Sequence, residues 1–221
     1  MYKLYHYSID PFSRVVRYIL NEISADYILV EQNFWDCDEK FLRINNMGTV
    51  PVLLTDDGLV LNHHQLIVDY IYSKYEPDFF YPEDNDTLTI RKICIWFNEK
   101  FYLECTKYFL QEKLVKSLSS KEQPNTHILS LARYNLGIHL EYLSHLLERT
   151  SYLAGDKFSL ADICCVMQIS ALDFVGEIQW SKIPQVKDWY CIIKSKPSFR
   201  SFLKERIVGI PTPSHYSVLD F

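Results

Sequence analysis

Apolar positions in this chain keep one rhythm for the first third and another for the rest. Tyr2 to Tyr7 and Tyr27 to Gln32 are short β-prone runs that predict strands. Between them Val16, Ile19, Leu20 and Ile23 recur at helical spacing, and Pro11 suits a first helical turn. After Trp35, the run Asp36 to Asn45 predicts a short helix with an acidic start. Val52 to Thr55 and Gly58 to Leu61 flank Asp56-Asp57-Gly58, a hairpin turn signal. A further helix follows, with Leu66, Ile67, Tyr70 and Ile71 as its buried stripe and Asn62 and Gln65 as an Asn-x-x-Gln capping pair. The order is βαβαββα over residues 1–76, a thioredoxin-like pattern.

The second rhythm is helical throughout. Residues 77–87 read as a linker, because the stretch from Glu76 to Asp86 carries Pro77, Pro82 and five acidic residues. Long helical segments run from about Leu88 to Leu118 and from Asn125 to Arg149; in the second, Leu136, Leu140, Leu143 and Leu147 recur at spacings of four, three and four. Gly155-Asp156 breaks the chain, and Ser159 with Asp162 three residues on opens another helix as a capping box. Shorter helices around Gln185 to Ser195 and Ser198 to Glu205 complete an all-helical domain over 88–205. Residues 206–221, with prolines and several aromatic or His side chains, read as a non-helical tail. The fold class is α+β in two domains.

Composition narrows the function. At 221 residues, 48 % hydrophobic and 23 % charged, the chain has an ordinary globular balance. No apolar run approaches the roughly 18 residues that span a bilayer, and Met1 to His6 holds too few apolar residues for a signal peptide. No membrane partner and a cytoplasmic location are expected. The net charge of −5 is uneven: up to Glu76 there are 6 Lys and Arg against 11 Asp and Glu, and beyond it 17 against 17. That balance argues against nucleic acid, which needs a basic face. The six cysteines form no C-x-x-C pair and no zinc spacing, so reduced, mostly buried thiols are expected and no metal site.

Gly48-Thr49-Val50-Pro51-Val52-Leu53 is the motif with most chemical content. A proline just before a strand, preceded by a β-branched residue, reads as a turn ending in extended chain. With a cis Val50-Pro51 bond the backbone groups of Val50 would face outward, and an extended peptide could pair with them as an added strand.

Together, the βαβαββα half, the Val-Pro-Val-Leu turn and the helical half with Ser159-Leu160-Ala161-Asp162-Ile163 resemble the glutathione S-transferase superfamily over about residues 1–205. The resemblance implies a cleft in which Val50 pairs with the cysteinyl unit of glutathione beside Pro11, Pro51, His63 and His64. It also implies a homodimer, and a structural rather than catalytic role for Ser159 and Asp162. Aligning Pro11 to Arg17 with the family's first helix places Asp10 where a Ser or Cys meets the thiol. A hydroxyl there donates to the thiolate and lowers its pKa, whereas a carboxylate accepts and repels it. Ser8 and Ser13 are the substitute candidates. His63-His64 stand where the family usually has an acidic residue and Ser, which read the γ-glutamyl group. They are either tolerated first-turn residues or a retooled anion site. Losing the charged hydrogen bond costs on the order of 2–3 kcal/mol, roughly a hundredfold in affinity.

The tail, with Trp35 and Trp180 in their contexts, is similar to members of the superfamily that act in bacterial cell division by binding FtsZ. That resemblance implies a dimeric adaptor for FtsZ polymers, weakly catalytic or not catalytic, with no required cofactor and glutathione in doubt. Trp35, His215, Tyr216 and Phe221 are its candidate partner contacts. Aromatic tail residues can equally dock on the helical domain. Deleting residues 211–221 is expected to weaken partner binding with little change in melting temperature. The alternative function is a transferase that conjugates glutathione to small electrophiles.

Overall fold

Leu4, Val52 and Leu53 are wholly removed from solvent and fix the centre of a four-stranded sheet. In this computed structural model, which describes residues 1–219 and 221, the chain divides into Met1–Pro77 and Asp78–Phe221. The first unit contains β1 (Tyr2–His6), α1 (Pro11–Glu22), β2 (Tyr27–Glu31), α2 (Glu39–Ile44), β3 (Val52–Leu54), β4 (Val60–Leu61) and α3 (His64–Tyr75). The sheet order is β2-β1-β3-β4. β1 runs parallel to β2 with Tyr2 opposite Tyr27 and antiparallel to β3 with Leu4 opposite Leu53. Of the spacing read in α1, Val16, Ile19 and Leu20 are buried together with Val15, while Ile23 lies half-buried just past the helix. α1 packs against α3, which buries Ile67, Val68 and Ile71, whereas Leu66 of the expected stripe is exposed and Tyr70 half-buried. Gly58, at φ +86°, turns β3 into β4 as Asp56-Asp57-Gly58 predicts.

One cap differs from expectation. The N-cap of α3 is His63, not Asn62, and Gln65 closes no capping box. The Asn62 amide donates instead to Asn45 Oδ1 (3.4 Å), and the Gln65 amide to Asp69 Oδ1 (2.9 Å). Asn62 is thus tied to the loop before β3, which leaves the next residue to begin the helix.

The first helix of the second unit is capped by Asp86, whose carboxylate accepts the N–H groups of Leu88 and Thr89 at the start of α4 (Thr87–Ile95). That helix continues through π-helical turns at Trp96–Thr106 into α5 (Lys107–Leu110), and through Gln111–Val115 into α6 (Lys116–Ser119). α7 (Thr126–Leu147), α8 (Leu160–Phe174), α9 (Pro184–Lys194) and α10 (Arg200–Leu203) follow. Every residue of α8 is buried, including Asp162, Gln168 and Asp173.

The tail does not stand apart. Residues 214–217 form a 3-10 turn, and Tyr216 is fully buried with its ring edge-on to Phe174 at 5.3 Å. The His215 ring pairs through Nε2 with Asp173 Oδ1 at 2.7 Å, and its carbonyl accepts from the buried Lys194 ammonium at 3.1 Å. Phe221 stacks on His215 (4.9 Å between centroids), meets Trp180 at 5.4 Å and lies 4.3 Å from Lys194 Nζ. Asp220, part of the tail motif, lies outside the described residues. The expectation that residues 211–221 can be removed without thermal cost is therefore corrected: hydrophobic burial of Tyr216 and the carbonyl acceptor for Lys194 depend on them.

Candidate functional site

The ligand site expected from the sequence falls on three segments of the first unit, the first turn of α1, the turn before β3 and the first turn of α3. The Val50-Pro51 bond is cis, and the first residue to pair in β3 is Val52, opposite Tyr5. Val50 N–H and C=O take part in no hydrogen bond among the described residues, so the edge has strand-pairing capacity to offer. Asn45, nearly fully buried, holds this turn: its amide donates to Thr49 C=O at 2.7 Å and its Oδ1 accepts Met47 N–H at 3.1 Å. Sequence reading passed over Asn45, although an Asn just after a short helix is a common turn-former.

Asp10, the residue the sequence expects at the thiol position, is the N-cap of α1. Its Oδ2 accepts the Ser13 N–H at 2.7 Å, with Pro11 as the first helical residue. Burial pushes the Asp10 carboxyl up to about 6, while the Ser13 amide and hydroxyl and the Arg14 charge pull it down. The two substitute hydroxyls are already engaged. Ser13 is fully buried and its Oγ accepts Tyr7 N–H at 3.4 Å; the Ser8 hydroxyl donates to Glu31 Oε1 at 3.0 Å. Trp35 lies edge-on to Tyr7 and to Phe34, each at 4.9 Å, in a half-buried aromatic cluster. Tyr7, a residue the sequence did not single out, keeps its phenol proton well beyond neutral pH because burial and the Glu31 charge both oppose ionisation.

His63 and His64 have distinct roles. His63 Nδ1 accepts the Gln65 N–H at 3.2 Å, so the capping ring carries its proton on Nε2. The His64 ring stacks on Phe12 of α1 with centroids 4.3 Å apart. Burial, and then the neighbouring His63, hold the His64 pKa down to about 3. At neutral pH an anion here would meet the α3 N-terminus and the neutral His64 imidazole, without a carboxylate to read an ammonium.

A folded pKa below the unfolded value means that protonation favours the unfolded chain as pH falls through 6.5. Relative to a His64→Gln variant, the wild type is expected to lose about 2 kcal/mol between pH 7 and pH 5. Urea unfolding of both proteins at each pH measures that difference, and an unchanged gap would mean a solvated His64.

Ser159 and Asp162 lie in the other unit and form a closed cap. Asp162 Oδ2 accepts Ser159 N–H (2.9 Å) and Oγ–H (3.1 Å), and Oδ1 accepts Leu153 N–H (3.0 Å) and Trp189 Nε1–H (2.9 Å). Among the described residues no His, Cys, Asp and Glu cluster is arranged to hold a metal ion, and no helix is long and apolar enough to cross a membrane.

Comparison with known proteins agrees with this architecture. Residues 4–79 match the glutathione S-transferase N-terminal domain and residues 110–206 the glutathione S-transferase C-terminal domain. The chain is 32% identical over 222 aligned residues to FtsZ-localized protein A of Caulobacter vibrioides, covering 99% of this chain and 97% of that one. The solved structure of FzlA from C. crescentus superposes with a TM-score of 0.95 at 31% identity, covering 100% of this chain and 99% of that one. A glutathione S-transferase from Rhodospirillum rubrum F11 superposes with a TM-score of 0.94 at 37% identity over the whole of both chains.

Proposed function

Because this chain belongs to the glutathione S-transferase superfamily, we propose that it is a superfamily member turned from thiol chemistry to binding, a homodimeric cytoplasmic adaptor for FtsZ polymers in bacterial cell division. The observation that carries the proposal is the full-length similarity to FtsZ-localized protein A, which extends through the tail that domain models of the transferases leave unmatched. The site supports it. Asp10 is spent on capping α1, Ser13 is buried, and His63-His64 provide no carboxylate. The exposed Val218 and Leu219, on a tail whose His215 and Phe221 remain partly open, offer a surface that docking leaves uncovered. Co-sedimentation with GTP-assembled FtsZ from the same organism tests the reading. Saturable pelleting is expected; none at tens of micromolar would remove the adaptor function. Sedimentation velocity tests the dimer.

A second reading is conjugation of glutathione to small electrophiles, favoured by the unpaired backbone of Val50 and by the likeness to the Rhodospirillum rubrum transferase. Asp10→Ser separates the two. Ser preserves the N-cap, so the fold should persist, while a hydroxyl replaces an anion at the thiol position. Glutathione affinity or turnover is expected to rise, read by calorimetry and by conjugation of an aryl halide. No change in either would place the thiol site elsewhere.

A further inference from the structure

A cavity of about 480 Å³ opens in the helical unit between residues 78–83 and 157–158. Its walls are the rings of Phe79, Tyr81 and Phe158 together with Pro82, and Asp78, Glu83 and Lys157 complete its lining. The two segments are fastened to each other. Asn85 donates its amide to Lys157 C=O at 2.8 Å, Leu160 N–H reaches Phe80 C=O at 3.4 Å, and the Lys157 ammonium pairs with Asp84. Gly155, at φ +145°, permits this approach, since a Cβ there would lie 2.5 Å from Asn85 Oδ1. The walls are thus set by the fold before any ligand arrives.

Charge and ring chemistry indicate what fits. Two cations of the chain itself already use these aromatic residues: Lys196 Nζ lies 4.4 Å from the Phe158 centroid and Arg91 Cζ 5.4 Å from that of Tyr81. Neither Lys196 nor Arg91 lines the cavity. The one lining cation, Lys157, is paired with Asp84, which is not itself part of the lining. Asp78 and Glu83 are exposed and make no hydrogen bond or ion pair among the described residues, although the Glu83 charge also acts on the Lys157 ammonium. An aromatic cavity edged by these two carboxylates is complementary to an organic cation.

We propose that this cavity is a docking site for an arginine side chain presented by a basic segment of a partner protein. A planar guanidinium stacks on aromatic rings and donates in pairs to carboxylates, which a compact ammonium does less well. The volume falls within the range of roughly 300–1,000 Å³ typical of ligand sites, enough for the guanidinium and its flanking backbone. The inference does not depend on FtsZ being a partner, and it uses neither the Val50 edge nor the tail.

The test is a titration of the 15N-labelled full chain with acetyl-Gly-Arg-Gly-amide and with its citrulline counterpart, which keeps the shape and loses the charge. The arginine peptide should shift the backbone amides of residues 78–83 and 157–158, and the citrulline peptide should bind about three- to tenfold more weakly. Replacing both Asp78 with Asn and Glu83 with Gln should weaken the arginine peptide by a similar factor and leave the melting temperature unchanged, because both side chains are exposed. Equal binding of the two peptides, an unchanged affinity in the double variant, shifts that map elsewhere, or no shift at several millimolar peptide would each overturn the proposal.

Discussion

Removing residues 211–221 is expected to lower the melting temperature by about 10 °C or more. Tyr216 is wholly buried against Phe174, and losing a buried aromatic side chain of this size costs about 3–5 kcal/mol. The same deletion takes the His215 carbonyl from the buried Lys194 ammonium and the His215 ring from Asp173. Burial lowers the Lys194 pKa against the opposing pull of Asp173, and the His215 carbonyl is the acceptor the ammonium donates to. An orphaned buried donor adds about 1–3 kcal/mol. At about 2–4 °C per kcal/mol for a chain of this size, the sum predicts the shift stated. Tyr216→Ala alone should produce roughly two-thirds of it. A truncated protein that melts within about 2 °C of the wild type would show that the tail is not seated on the helical unit in solution. FtsZ pelleting by the truncated chain has to be measured well below its new midpoint, so that lost contact is not confused with lost structure.

The tail also marks the boundary of what the sequence made legible. The βαβαββα order could be read because each element of the first unit carries its own local signal. Pro11 and the apolar spacing define α1, Asp56-Asp57-Gly58 defines the hairpin, and the Val-Pro-Val-Leu run defines the entry to β3. Ser159 and Asp162 were legible for the same reason, since a capping box is complete within four residues. What escaped was long-range. Nothing near His215 in sequence announces Asp173, 42 residues away, and nothing near Asn62 announces its pairing with Asn45 across the α2–β3 turn. The His63 cap follows from that pairing, so a tertiary contact overrode a sound local rule. Asp10 stands just before α1, as Pro11 at the first helical turn implies, but its engagement by the Ser13 N–H is a matter of side-chain direction, which spacing alone does not give.

Asp162→Ala is expected to be the most damaging single substitution in the helical unit, at about 4 kcal/mol or outright loss of soluble protein. The cause is the donors left behind rather than the charge removed. Leu153 N–H, Ser159 N–H and Trp189 Nε1–H all end on this one carboxylate, in a region closed to water. Alanine supplies no acceptor to any of them, and each buried donor without a partner costs about 1–3 kcal/mol, less than additively. Burial holds the Asp162 carboxyl up at about 6 even though the donors oppose that shift, so they and the carboxylate hold each other in place. Asp162→Asn keeps one acceptor oxygen but turns an NH₂ toward two of the donors, and should cost less than alanine yet more than Ser159→Ala. Ser159→Ala removes a single hydroxyl donor and should cost about 1 kcal/mol. Thermal melts followed by circular dichroism rank the three variants, and the Trp189 indole N–H resonance reports the bond directly. If Ser159→Ala proved as harmful as Asp162→Ala, the capping hydroxyl rather than the shared carboxylate would be what joins α8 to the loop at Leu153 and to α9.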